Sequence, residues 1–258
     1  MADSDEICSM EPVAMAGRRR SESADQGGGV GAEQTLSLLT TLWQADSAFP
    51  SGSFAFSNGI EGAAALGEPL DAANLAALLA ATLRHRWATA DRVAMLAAHR
   101  AAGDLATVTV TDLAYDAATL PAPLRHGSRR NGVAFLTAHQ RLGTQGAAAF
   151  RAEIAAGRAL GHLPVAQGLV WRNCGLDERL AILTSGYVTA SGLVAAAVRL
   201  GRIGAVAAQA VLAAIFPLIA EFATEAPGPT DGEITSMTPW IDIAAIRHSR
   251  ADLRLFAN

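Results

Sequence analysis

Lysine is absent from this 258-residue chain, and all 20 of its basic residues are arginine. A phosphate-binding P-loop needs a lysine to reach the phosphates, so the chain cannot write that motif. Schiff-base and pyridoxal chemistry need a lysine amine and are excluded with it. Cysteine is nearly absent too. Cys8 and Cys174 are far apart and lack metal-finger spacing, so neither a disulfide nor a zinc site is expected, and a reducing cytoplasm fits. Charged residues make up only 17% and the formal net charge is −4, which gives no basic field to hold nucleic acid or an anionic membrane.

What the chain has is apolar mass. Hydrophobic residues reach 51%, enough for a sizeable core, and the length suits one large domain or two small ones. Residues 1–33 are small, polar and glycine-bearing, and are expected to be a disordered tail. The tail's Arg18-Arg19-Arg20 follows no apolar h-region, so no secretory leader is expected.

From residue 34 to 258 the texture is alanine-rich and helical. Asp71 reads as an N-cap, followed by Leu75, Leu78, Leu79 and Leu83 at helical spacing. A separate stretch over 89–102 would stop at Gly103. Thr107 to Thr111 alternates like a strand but has no pairing partner, and is read as helix. Pro123 and Pro164 each open a helix, running to about 142 and 174. Two long apolar segments, 176–200 and 203–222, suggest an antiparallel pair. Both are nearly long enough to span a bilayer. Their small-residue composition and the interruptions at Gln209 and Pro217 favour a bundle core instead. A short helix over 239–248 and a polar end follow. The expectation is an all-α, bundle-like domain of nine or ten helices.

No catalytic constellation emerges. The six histidines are scattered without ligand spacing, no nucleophile elbow surrounds Ser51, Ser53 or Ser57, and no carboxylate pair is set for acid/base work. The loop 46–61 concentrates Phe49, Phe54 and Phe56, with Asn58 and Glu61 placed to cap the next helix. These phenylalanines either plug the core or face a partner. Arg125, Arg129 and Arg130, with Arg141, form the densest basic cluster, which is either a solvated face or a carboxylate or phosphate contact. The end mixes Trp240, Asp242, Arg247, His248, Arg250 and Arg254 with Ile241, Ile243, Ile246 and Phe256. It reads as a docking segment over 233–258, or as a last helix folded back on the bundle.

Five segments in order carry a resemblance: Pro50 to Glu61, Arg129 to Gly132, His162 to Gly168, Ser191 to Gly201, and Trp240 to His248. Together they resemble the urease accessory protein UreF family. Departures lie at Ser249 to Asp252 and over 101–120. The resemblance implies a non-catalytic, all-helical homodimer that joins the GTPase UreG and the scaffold UreD (also called UreH) in loading nickel into apo-urease. Nickel and GTP would be handled by those partners, with no cofactor, nucleic acid or membrane bound by this chain. The implied partner-binding residues are Phe54, Phe56, Ser57, Glu61, Arg129 and Arg130 for UreG. For UreD they are Trp240, Asp242, Arg247, His248, Arg250, Arg254 and Phe256. The alternative is a membrane-associated or small-molecule-binding helical bundle unrelated to urease.

Overall fold

A computed structural model describes residues 31–52, 56–57, 59–67, 69–224, 232–251 and 255–256. The described residues hold ten helical rods and no strand, as the composition predicts. Most of residues 1–33 lie outside the described residues. Ala32 and Glu33 already belong to the first helix, α1 (Ala32–Ala45).

A short α2 (Ile60–Ala64) leads into α3 (Ala72–Thr82), which Asp71 caps by accepting from the Asn74 amide at 2.9 Å. The expected break before residue 89 is absent. The chain instead continues through a π-helical segment, Leu83–Asp91, into α4 (Arg92–Arg100) as one rod. The wider turn leaves carbonyls open to a second donor. His85 O accepts from the Met237 amide at 2.9 Å, and Thr89 O accepts from the Thr235 amide at 3.0 Å. The Thr89 hydroxyl donates back to Thr235 O at 2.6 Å. These bonds strap the segment before the last helix onto the rod.

Then come α5 (Leu105–Ala118), which contains Thr107 to Thr111 as helix, and α6 (Ala122–Arg141), where Pro123 stands second. Next are α7 (Ala147–Ala155) and α8 (Leu163–Asn173). The two apolar segments become α9 (Glu178–Arg199) and α10 (Ala205–Thr224), packed along each other. Both are long and apolar enough to cross a membrane by length and composition, and α9 is more than half buried within the protein. The last helix, α11, runs Pro239–His248 as the sequence predicts.

The core joins Trp87, Tyr115, Phe135, Phe150 and Trp171, all fully buried, to the α9–α10 pair. Trp87 donates its indole N–H to the Ser185 hydroxyl at 3.0 Å, so its polar edge is satisfied. Gly168 sets a close crossing, because a Cβ there would lie 2.1 Å from the Met95 carbonyl, and α8 therefore lies directly on α4. Helix α1 is arranged the other way round. Its inward face is polar, and Gln44 is its one buried residue among those described.

Candidate functional site

The loop and the C-terminal segment, about 190 residues apart in sequence, meet in space. Helix α2 is the seat of α11. Gly59 adopts the left-handed conformation (φ 92°) that starts α2, and a Cβ there would strike Ile241 at 2.8 Å. At Gly62 a Cβ would lie 2.1 Å from the Ala244 carbonyl. Two bare backbone positions thus let α11 lie against α2, burying Ile241, Ala244, Ala245 and His248.

Glu61 closes this contact. The cap of α2 is Gly59, and Asn58, expected to cap it, lies outside the described residues. The Glu61 carboxylate instead accepts from the Leu255 amide at 2.7 Å and the Phe256 amide at 3.1 Å, and lies 2.6 Å from His248 Nε2. One side chain therefore ties down two amides of the tail and sits against the last histidine of α11. Phe256 is buried, with the Arg199 guanidinium 4.3 Å above its ring.

The outward face of α11 is unlike the inward one. Trp240, Ile243 and Ile246 are exposed together with Arg247, and Met237, Arg250 and Leu255 are exposed beside them. Asp242 is half-buried, and burial pushes its carboxyl above the usual range against the opposing pull of Arg86 and the Thr238 hydroxyl.

On the loop side, Phe56 and Ser57 are buried, and the exposed Arg130 lays its guanidinium 5.3 Å from the Phe56 ring centroid. Gly127 leaves room for that ring, since a Cβ would stand 3.2 Å from it. The three arginines of the cluster divide. Arg125 bonds the Thr119 and Leu120 carbonyls at 2.8 and 2.7 Å. Arg129 is half-buried and pairs with Asp116, which also accepts from His162 Nε2 at 2.9 Å. Partial burial opposes the Asp116 charge. The bonds from Arg129 and His162 outweigh it and hold the carboxyl below its usual range. Burial pushes His162 down, with Asp112 and Asp116 opposing. Arg129 is therefore engaged inside the fold, and Arg130 is the guanidinium left facing outward. Phe54 and Arg254 lie outside the described residues.

Sequence reasoning missed Asp112, fully buried, which accepts three amides of one turn: Leu160 at 2.5 Å, Gly161 at 2.8 Å and His162 at 2.8 Å. Among the described residues, no group of three histidine, cysteine or acidic side chains is placed to hold a metal.

The UreF family model matches residues 70–216, more than half of the chain. The chain belongs to the UreF family. Its relatives include the urease accessory protein UreF of Trichodesmium erythraeum, 31% identical over 85% of this chain and 96% of that protein. The UreF of Cereibacter sphaeroides strain KD131 is 36% identical, covering 86% and 99%. That of Rhodopseudomonas palustris strain BisA53 is 33% identical, covering 89% and 96%. The matched region of this UreF-family chain holds the rod α3–α4, the Asp112 turn and Arg129–Arg130, while α2 and α11 flank it on either side.

Proposed function

We propose that this chain is a non-catalytic adaptor of urease maturation, acting in the cytoplasm as a homodimer that joins a UreG GTPase to a UreD/UreH scaffold while nickel is delivered to apo-urease. The observation that carries this reading is the seat of α11. A helix of ten residues is marginal alone, and here two glycines and one carboxylate fix it so that its apolar, arginine-bearing face points outward. Exposed tryptophan, isoleucine and arginine on a rigid support have the composition of an interface hot spot. This face is the one assigned to the scaffold. Arg130 on Phe56 is assigned to the GTPase, with Arg129 supporting the helix from behind.

Co-purification with UreG and UreD from the same genome tests the assignment. Trp240→Ser with Ile243→Ser should abolish UreD capture and keep the helical circular dichroism, and Arg130→Glu should weaken UreG capture. If both variants hold both partners as the unmodified chain does, the adaptor surfaces lie elsewhere. If the unmodified chain captures neither partner, the adaptor reading itself fails.

A further inference from the structure

Gln167 is a buried amide that the fold leaves idle. On α8 it stands one turn from Leu163 and one turn from Trp171, so the three share a face. Trp171 donates its indole N–H to Gln44 Oε1 at 3.0 Å, and His139 Nε2 meets the same oxygen at 3.1 Å. These contacts fix the orientation of the Gln44 amide. Gln44 Nε2 is sealed from solvent with no partner among the described residues. Gln167 is only 7% exposed and makes no hydrogen bond to the described residues. Polar groups buried to this degree are almost always paired, so two amides with unused capacity on touching helices call for something that completes them.

Gln167 is reached from an open groove of about 1130 Å³ between α1, α9 and α10. Phe49, Phe135 and Leu163 line the same groove, and the rings of Phe49 and Phe135 have centroids 5.7 Å apart. The two charged residues among the described lining groups are engaged elsewhere. Asp46 accepts from the Ala48 amide at 2.8 Å, and the Arg199 guanidinium lies over the Phe256 ring. An apolar, aromatic-lined concavity with few polar groups has the composition of a small-molecule site, and its volume is slightly above the roughly 300–1,000 Å³ that such sites span.

The chemistry of Gln167 narrows the ligand. A primary amide presents a donor and an acceptor side by side, and pairs two-for-two with a group that offers the reverse, as glutamine does on the edge of adenine. A charged ligand would lose its hydration here and find no counter-ion. We propose that this groove binds a small uncharged molecule that sets a carboxamide or lactam edge against Gln167 and lays an apolar body along Phe49, Phe135 and Leu163. The site is separate from the surfaces assigned to UreG and UreD and does not rest on that assignment.

The test is titration of the full chain with three probes, benzamide, toluene and benzoate, followed by amide-detected NMR. The Gln167 side-chain NH2 pair is identified by its absence from the Gln167→Leu variant. Because Gln167 has no protein partner to lose, that variant should keep the parent's fold and stability. Benzamide should shift the Gln167 pair and bind about tenfold more tightly than toluene, the net worth of one hydrogen bond. Benzoate should not bind. In Gln167→Leu the preference should vanish, with toluene binding at least as well as benzamide. If the leucine variant misfolds, Gln167→Met, which keeps the reach and lacks the amide, takes its place. Unmoved Gln167 resonances, or equal benzamide affinity in parent and variant, would overturn the proposal. So would a benzamide-soaked crystal with an ordered water in place of the ligand on Gln167, since solvent would then be its partner. Binding that emerges only after residues 1–30 are removed would overturn it as well, because the chain's own N-terminal segment would then be the occupant. Partner capture by the Trp240 and Arg130 variants is scored separately.

Discussion

Lowering the pH from 7 to 5 should destabilise the protein through His139. Its ring is fully buried, packed against Phe135 at 4.5 Å and Phe49 at 5.0 Å between centroids. Nε2 donates to Gln44 Oε1 and Nδ1 accepts from the Thr144 hydroxyl, so the neutral ring is fully used. Burial pushes its pKa down from 6.5 to about 4. A folded-state value below the unfolded one means the unfolded chain binds the extra proton between those pH values. The stability is therefore present above pH 6.5 and lost as pH falls toward 4. Integrating the linkage gives a loss of about 2 kcal/mol by pH 5 and about 3 kcal/mol by pH 4 from this residue. His99 and His162, also pushed down by burial, add in the same direction. His139→Gln isolates the contribution, because it keeps a donor toward Gln44 and cannot titrate. Urea unfolding of both proteins at pH 7 and pH 5 is the assay, and the variant should lose about 2 kcal/mol less than the parent over that interval. Equal losses would refute the assignment of the neutral ring as the source.

Gly62→Ala should dislodge α11, because its new methyl meets a backbone carbonyl. A loss of about 1–3 kcal/mol is expected, with faster hydrogen exchange over 241–248. Unchanged exchange there would show that the seat is not as tight as Gly62 implies. Trp87→Ala removes a fully buried indole and strands the Ser185 hydroxyl, so urea unfolding should show a loss of about 3–5 kcal/mol. Arg100→Ala serves as the control. Its bidentate pair with Glu178 is nearly half exposed, so a loss below about 1 kcal/mol is expected by the same assay.

The elements whose cause is local could be read from the sequence. Pro239 at the first turn and the Ile241–Ala245–His248 spacing give α11 its bounds, and Asp71 marks the start of α3. The π segment could not be read, because nothing in Leu83–Asp91 distinguishes i→i+5 bonding from an interruption. The site was half legible. Glu61 reads as a cap from its neighbours, yet its partners are among the last residues of the chain. Arg129 reads as a surface charge because Asp116, its partner, sits on the preceding helix.

The turn over residues 160–162 gathers three amides around one point, a geometry that elsewhere binds free anions. Here the anion is Asp112, delivered on α5. A ligand tethered in this way has an effective concentration set by the chain itself, so neither dilution nor competing solutes can readily empty the turn. The start of α8, and Leu163 with it, is thus held in place by a guest the protein never has to find.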